Sequence, residues 1–271
     1  MKSLTLVPIG GLANRFYAIT SAIAFCKDYN IKLRVIWFKD WGMGADFHSL
    51  FELSEDVDKD NVKIIDAKWY HYIYDRPRKR NLWLPLLWQQ VIFDQILLEK
   101  DAHDKKLTKR LLESKRPYLV AFNLFYSPQK FFHYLRPQDI INNKISEVLS
   151  AFGGDVIGIH IRRTDNINAI QQSPIYLFTN VMDREIALNP NVSFYVASDS
   201  LKEKEFLKER YGERIITFEH EVRRDNSEGI KNAMIELYLL SKTIRIYGSA
   251  SSTYSLLAAD ISGIKLNILS I

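Results

Sequence analysis

A histidine, two adjacent arginines and an aspartate stand close together in His160-Ile161-Arg162-Arg163-Thr164-Asp165, directly after the apolar residues Val156 to Ile159. That run reads as a buried strand emerging at its carboxyl end. Side chains alternate along a strand, so His160 and Arg162 share one face while Ile161 and Arg163 share the other. One arginine can then meet a ligand while its neighbour pairs with a carboxylate. A guanidinium is a planar fork that grips two phosphate oxygens at once, and the chemistry expected of Arg162 is recognition of a phosphorylated ligand. Two arginines at a strand end also reach solvent or brace an interface, and a histidine on a strand is more often structural. Asp165 suits two tasks, holding Arg163 in place or taking a proton from a substrate hydroxyl as a general base.

Four further groupings suit the same chemistry. Gly10-Gly11-Leu12-Ala13-Asn14-Arg15 is a tight turn after the first strand that opens a helix, where glycines allow close backbone approach and a helix start presents amide hydrogens to an anion. The third glycine of a dinucleotide fingerprint is missing, and a bare strand-turn-helix corner reads the same way. Gly248-Ser249-Ala250-Ser251-Ser252-Thr253 repeats the arrangement with hydroxyls that either cap a helix or bond phosphate oxygens. Asp199 ends a buried strand and either caps the next helix or meets a ligand. Glu236 lies beside the helical stripe Ile230, Met234, Leu237 and Leu240. Asp56-Val57-Asp58 has the form of a metal-binding Asp-x-Asp but lacks a preceding apolar strand, so it reads as solvated surface and no metal is expected.

The elements that must position these residues alternate. Strands are predicted at residues 156–161, 193–197, 214–218, 244–247 and 265–269, with helices at 174–188, 201–211, 227–242 and 252–259. Such alternation is the signature of a parallel sheet covered by helices. Ser173 is expected to cap the helix that Pro174 opens. The first half begins likewise, with a strand, a helix over 12–29 and a strand over 32–38, then turns irregular and helical over 68–116. Gly153-Gly154 ends an amphipathic helix that follows Pro137. The expected organisation is therefore α/β in two Rossmann-like domains, residues 1–135 and 136–271.

Bulk properties set the outer limits. At 271 residues, 47% hydrophobic and 25% charged, the chain is an ordinary globular protein with room for a large core. Its formal charge of +5 attracts phosphorylated ligands, polyanions or an anionic membrane alike. Cys26 stands alone in an apolar helical pattern and reads as core in a reducing compartment. The short apolar run at the N-terminus reads as a strand rather than a signal sequence, and the apolar stretch 82–98 is broken by Gln89, Gln90, Asp94 and Gln95. The expected location is cytoplasmic. Residues 68–92 interleave aromatics with Arg76, Arg78, Lys79 and Arg80 and suit acceptor binding, peripheral contact with anionic lipid at the inner face of the membrane, or a plain core with a basic loop. No familiar nucleic-acid module is present, and no nucleic-acid partner is expected.

Taken together, these residues resemble the α1,6-fucosyltransferases, including the nodulation type, within the wider group of α1,2-, α1,6- and protein O-fucosyltransferases. The blocks carrying the likeness are Gly10 to Arg15, His160 to Asp165, Phe194 to Asp199 and Glu236 to Thr253. The resemblance implies a GT-B-like fold, with two Rossmann-like domains facing a central cleft, the first on the acceptor side and the second holding the donor. It implies an inverting, metal-independent glycosyltransferase of polysaccharide biosynthesis, without cofactor, that moves fucose from GDP-fucose to a glycan or lipid-linked glycan. On this reading Gly10, Gly11, Asn14, Arg15, His160, Arg162, Arg163, Asp199, Glu236, Ser251, Ser252 and Thr253 bind the donor, and Arg162 and Asp165 are catalytic. Arg162 would contact the β-phosphate, His160 and Glu236 the guanine, and Ser251 to Thr253 the pyrophosphate. The chain departs from the pattern at Glu236, where relatives carry Asp, and at Asn166 and Ile170, where the α1,6 enzymes carry Lys and Glu on the acceptor side. Rival readings are a transferase for another nucleotide sugar and a non-catalytic protein that binds nucleotide or nucleic acid.

Overall fold

Strands buried on both faces need helices on both sides, and the apolar runs of this chain are of that kind. The computed structural model describes residues 2–77, 83–127, 132–164, 166–220 and 223–271. The first strand, β1 (Ser3–Pro8), is followed by helix α1 (Leu12–Asp28) and strand β2 (Lys32–Trp37). Strands β3 (Phe51–Leu53) and β4 (Val62–Asp66) come next, then helices α2 (Trp69–Tyr74) and α3 (Trp83–Ile92). β5 (Gln95–Leu97), α4 (Leu107–Glu113), β6 (Pro117–Ala121) and β7 (Leu135–Pro137) complete this half. Five of these strands form a parallel sheet in the order β4-β2-β1-β6-β5, and β3 pairs with β7 as a small antiparallel ribbon. Every residue of α1 from Leu12 to Cys26 except Asn14 is buried. Burial pushes the Cys26 thiol up to about 12, which leaves it protonated and inert.

The second half runs α5 (Asp139–Leu149), β8 (Val156–Ile161), α6 (Ile167–Gln172), α7 (Ile175–Leu188) and β9 (Ser193–Ser198). It continues with α8 (Leu201–Tyr211), β10 (Ile215–Ile216), α9 (Ser227–Ser241), β11 (Arg245–Ser249), α10 (Thr253–Ser262) and β12 (Lys265–Leu269). Its sheet is again wholly parallel, in the order β10-β9-β8-β11-β12. The chain divides into two compact units, Met1–Gln138 with Arg224–Ile230, and Asp139–Arg223 with Lys231–Ile271.

In the second unit Ile157, Ile159 and Ile161 pack with Phe178 and Met182 of α7 and with Leu207 of α8. Each such side chain contributes about 1.5–3 kcal/mol by leaving water. The opposite face of β8 carries Gly158 and His160. A Cβ on Gly158 would lie 2.7 Å from Leu240 Cδ1 and from Thr243 Oγ1, so only glycine lets this part of the chain approach β8 so closely.

Two local expectations change. Helix α7 is capped by Pro174, not by Ser173, whose hydroxyl instead donates to Leu269 O (2.6 Å) and accepts from Ala250 N (2.8 Å). A hydroxyl that can reach a neighbouring strand satisfies two buried backbone groups at once. Strand β10 keeps only two of the five expected residues, and the Phe218 carbonyl turns to Lys204 Nζ at 3.3 Å.

Candidate functional site

In a parallel α/β sheet, ligands gather at the carboxyl ends of the strands where the strand order reverses. In the second unit that point lies between β8 and β11, which are paired with His160 opposite Gly248. The loop leaving β8 is pinned from both neighbours. Arg162 N donates to Ser249 Oγ at the end of β11 (3.0 Å), and Ser198 Oγ at the end of β9 donates to Ile161 O (2.9 Å).

The two arginines, one and two residues beyond β8, have different partners. Arg163 is woven into the fold, with Nε donating to Glu203 Oε1 of α8 (2.9 Å), Nη2 to Ser173 O (2.9 Å) and Nη1 to Arg162 O (2.9 Å). Arg162 pairs with Asp199 Oδ2 at 3.4 Å, and 21% of its side chain remains exposed. Asp199 does not cap α8, which has Ser200 at its start. It organises the Arg162 loop instead, accepting from Arg163 N (2.7 Å), Thr164 N (3.3 Å) and Thr164 Oγ1 (2.7 Å). Two backbone amides and a hydroxyl converging on one carboxylate hold the loop in a single geometry.

On the Gly158 face of β8, His160 stacks on Tyr254 of α10, with ring centroids 5.0 Å apart and planes 26° apart. Burial, reinforced by the Arg162 charge, pulls its pKa down from 6.5 to about 4, so the imidazole is neutral at physiological pH. Its Nδ1 is buried without a hydrogen-bond partner among the described residues, as is Tyr195 Oη. A native interior rarely leaves such atoms unsatisfied unless water or a ligand meets them.

The loop from β11 into α10 is strained. Ser251 adopts φ 54°, a left-handed conformation uncommon outside glycine. Asn166 holds it, donating from Nδ2 to Ser251 O (2.9 Å) while Oδ1 accepts from Ala169 N (3.1 Å) to cap α6. The α10 cap, Ser252, makes no side-chain hydrogen bond to the helix, and Ser251 and Thr253 are exposed beside it. Amides at a helix start favour an anion.

No protein-family model matches the sequence, and no curated protein sequence matches it. Solved structures do. NodZ α-1,6-fucosyltransferase soaked with GDP-fucose superposes with a TM-score of 0.65 at 14% identity, over 95% of this chain and 92% of that one. A mutant of Arabidopsis thaliana FUT1 in complex with GDP gives 0.67 at 18% identity, over 99% and 70%. POFUT1 in complex with GDP-fucose gives 0.62 at 11% identity, over 100% and 99%. The chain has the fucosyltransferase fold.

Within that fold, the second unit brings His160, Arg162, Arg163, Asp199 and Ser251 to Thr253 to the carboxyl edge of one sheet. Asp165 lies outside the described residues. Glu236, expected at the ligand, is turned into a buried cluster. Its Oε1 accepts from Lys204 Nζ (2.6 Å), and His220 Nε2 lies 3.3 Å from the same oxygen. A carboxylate is costly to bury unpaired, and Lys204 supplies the compensating charge.

The glycine loop belongs to the first unit, where it follows β1 at the corresponding reversal between β1 and β6. Gly10 has φ 83°, and a Cβ there would sit 2.8 Å from Asn14 Nδ2. Gly11 is open, with no atom near an added Cβ. Asn14 Oδ1 is buried without a partner among the described residues. Arg15 does not reach for ligand. It is fully buried, donating to Gly10 O (2.8 Å), Phe38 O (2.6 Å) and Asp40 Oδ2 (2.7 Å), and its guanidinium carbon lies 4.7 Å from the Trp37 ring centroid. Burial lowers its pKa to about 10, still charged at neutral pH, and its work is to fix the shape of the loop.

Sequence reasoning missed Tyr254 and the linking role of Ser249. Ser249 sits in a small-residue loop that attracted notice for its hydroxyls, whereas nothing local marks Tyr254. Among the described residues, no group of three or more His, Cys, Asp or Glu side chains is arranged to hold a metal ion.

Proposed function

We propose that this protein transfers fucose from GDP-fucose to a hydroxyl of a glycan or lipid-linked glycan, with inversion at the anomeric carbon and without a metal ion. The observation carrying the reading is Arg162, partly exposed at the carboxyl end of the central strand β8 and set in place by Asp199. The fold supports it, since solved proteins of this fold are crystallised with GDP-fucose or GDP.

The acceptor oxygen bonds to the anomeric carbon as the bond from that carbon to the β-phosphate oxygen breaks. The electron pair leaves with GDP, and the acceptor proton passes to a base, for which Asp165 is the candidate. Negative charge grows on the β-phosphate during this step. A guanidinium already oriented by Asp199 stabilises that growth without reorganising, so its effect is larger in the transition state than in the ground state. The start of α10, with Ser251 to Thr253, adds amide and hydroxyl donors for the pyrophosphate. His160, neutral and with Nδ1 unpartnered, offers a polar edge to the base.

The test is release of GDP from GDP-fucose, compared with GDP-mannose and UDP-sugars, alone and against an array of glycan acceptors, with and without a chelator. GDP-fucose is the expected donor, with turnover unchanged by chelation. Preference for a UDP-sugar, or loss of activity with chelator, would overturn the corresponding part of the proposal. Absence of GDP binding by calorimetry would overturn all of it.

A further inference from the structure

Helix α3 of the first unit carries an outer face that is apolar except for Gln90. Gln89 is buried and donates from Nε2 to Tyr74 O (3.2 Å), while Leu86, Leu87, Trp88 and Val91 face outward. Leu87, Trp88 and Val91 are 51%, 45% and 76% exposed. A surface helix in water carries the opposite arrangement, with its polar side chains outside. Helix α2 likewise exposes Trp69, at 74%, with Tyr70 and Ile73 on one side at helical spacing. The two helices touch through Tyr74 and Trp88, whose ring centroids are 5.4 Å apart. Scattered exposed apolar residues need no explanation, but this many on two touching helices mark a surface made to be covered.

Among the described residues, cations flank α2 at both ends, while exposed Asp94 follows α3 and is held by Ser114 Oγ, Lys115 N and Arg116 N. Lys68 is exposed at the start of α2, and Arg76 lies just beyond its end over the Tyr72 ring. The acid of this stretch, Asp75, is buried beside Arg34 Nη1 at 3.9 Å. Tryptophan and tyrosine with aliphatic neighbours suit the boundary between acyl chains and headgroups, and flanking cations suit anionic headgroups.

We propose that the outer faces of α2 and α3 dock on an anionic lipid bilayer, with Trp69, Leu87, Trp88 and Val91 entering the interface and Lys68 and Arg76 meeting headgroup phosphates. The surface shares no residue with the Arg162 site, so the failure of docking and the failure of donor binding are told apart by separate measurements.

The test is co-sedimentation of the full chain with vesicles of phosphatidylglycerol and phosphatidylcholine, against phosphatidylcholine alone. The wild type pellets with the anionic vesicles, and this falls with added salt. The double variant Leu87→Asp with Val91→Asp lowers the partition coefficient by about tenfold or more while leaving GDP affinity unchanged. Should that variant fail to fold, Lys68→Glu with Arg76→Glu, which leaves the apolar face intact, weakens binding to anionic vesicles alone. Wild-type protein that stays in the supernatant, or variants that pellet like wild type, overturns the proposal. So does a wild-type dimer by light scattering that Leu87→Asp with Val91→Asp renders monomeric, which would make this face a contact between copies.

Discussion

Replacing Arg162 by lysine, and separately by alanine, separates a chemical role from a structural one. The backbone bond from Arg162 N to Ser249 Oγ (3.0 Å) survives both changes. Asp199 keeps its bonds from Arg163 N and Thr164 Oγ1, each 2.7 Å, so no buried carboxylate is abandoned. The lost pair with Asp199 is partly exposed and costs the fold on the order of 1 kcal/mol. Turnover loses far more, because removing one preorganised donor from a developing oxyanion typically costs about 10²- to 10³-fold, or roughly 2.7–4 kcal/mol. Lysine restores the charge but not the fork, so its turnover is expected within about tenfold of alanine's. The assay is GDP release at saturating GDP-fucose, with GDP affinity by calorimetry and a thermal melt on the same samples. A fall in kcat marks an interaction made in the transition state, whereas a rise in KM alone marks simple binding. A lysine variant turning over near the wild-type rate would refute the reasoning.

Two other outcomes follow from the buried titratable groups of the second unit. The folded His160 pKa of about 4 lies below its ordinary 6.5, so the unfolded chain takes up the proton first. Stability from this group is therefore complete above about pH 6.5 and falls toward about pH 4, by at most about 3 kcal/mol. His160→Gln should remove that part of the slope in urea midpoints between about pH 7 and about pH 4.5, and an unchanged slope would contradict the burial argument. Lys204→Met should cost about 3–5 kcal/mol by leaving Glu236 buried without its ammonium partner, and adding Glu236→Leu should recover most of it. A double-mutant cycle in urea measures both, and a neutral single variant would show that the pair does not hold this region.

Strand and helix periodicity is a local property, and what depends on it is legible in the sequence itself. The six-residue strand β8, apolar except for His160, and the placing of Arg162 and Arg163 just beyond its end follow from pattern alone. So do the parallel sheet of the second half and the glycine turn after β1. Short strands were not readable. β5 is three residues long and lies in a stretch whose helical character dominates, so propensity had too few positions to act on. Partner choice was not readable either. Arg15 and Glu236 carry the charges a ligand site wants, yet Asp40 and Lys204 claim them across 25 and 32 residues of sequence. Asp199 meets the loop after β8, and Tyr254 meets His160 within β8, only because β9 and β11 flank β8 in the sheet. The outward turn of Leu87 and Val91 was likewise decided by packing, since the same sequence is a plausible core helix until Gln89 is seen inside. Sequence alone set which residues could bind a phosphate; the tertiary structure decided which of them were already spoken for, because a buried charge must find its counter-charge wherever the fold brings one within reach.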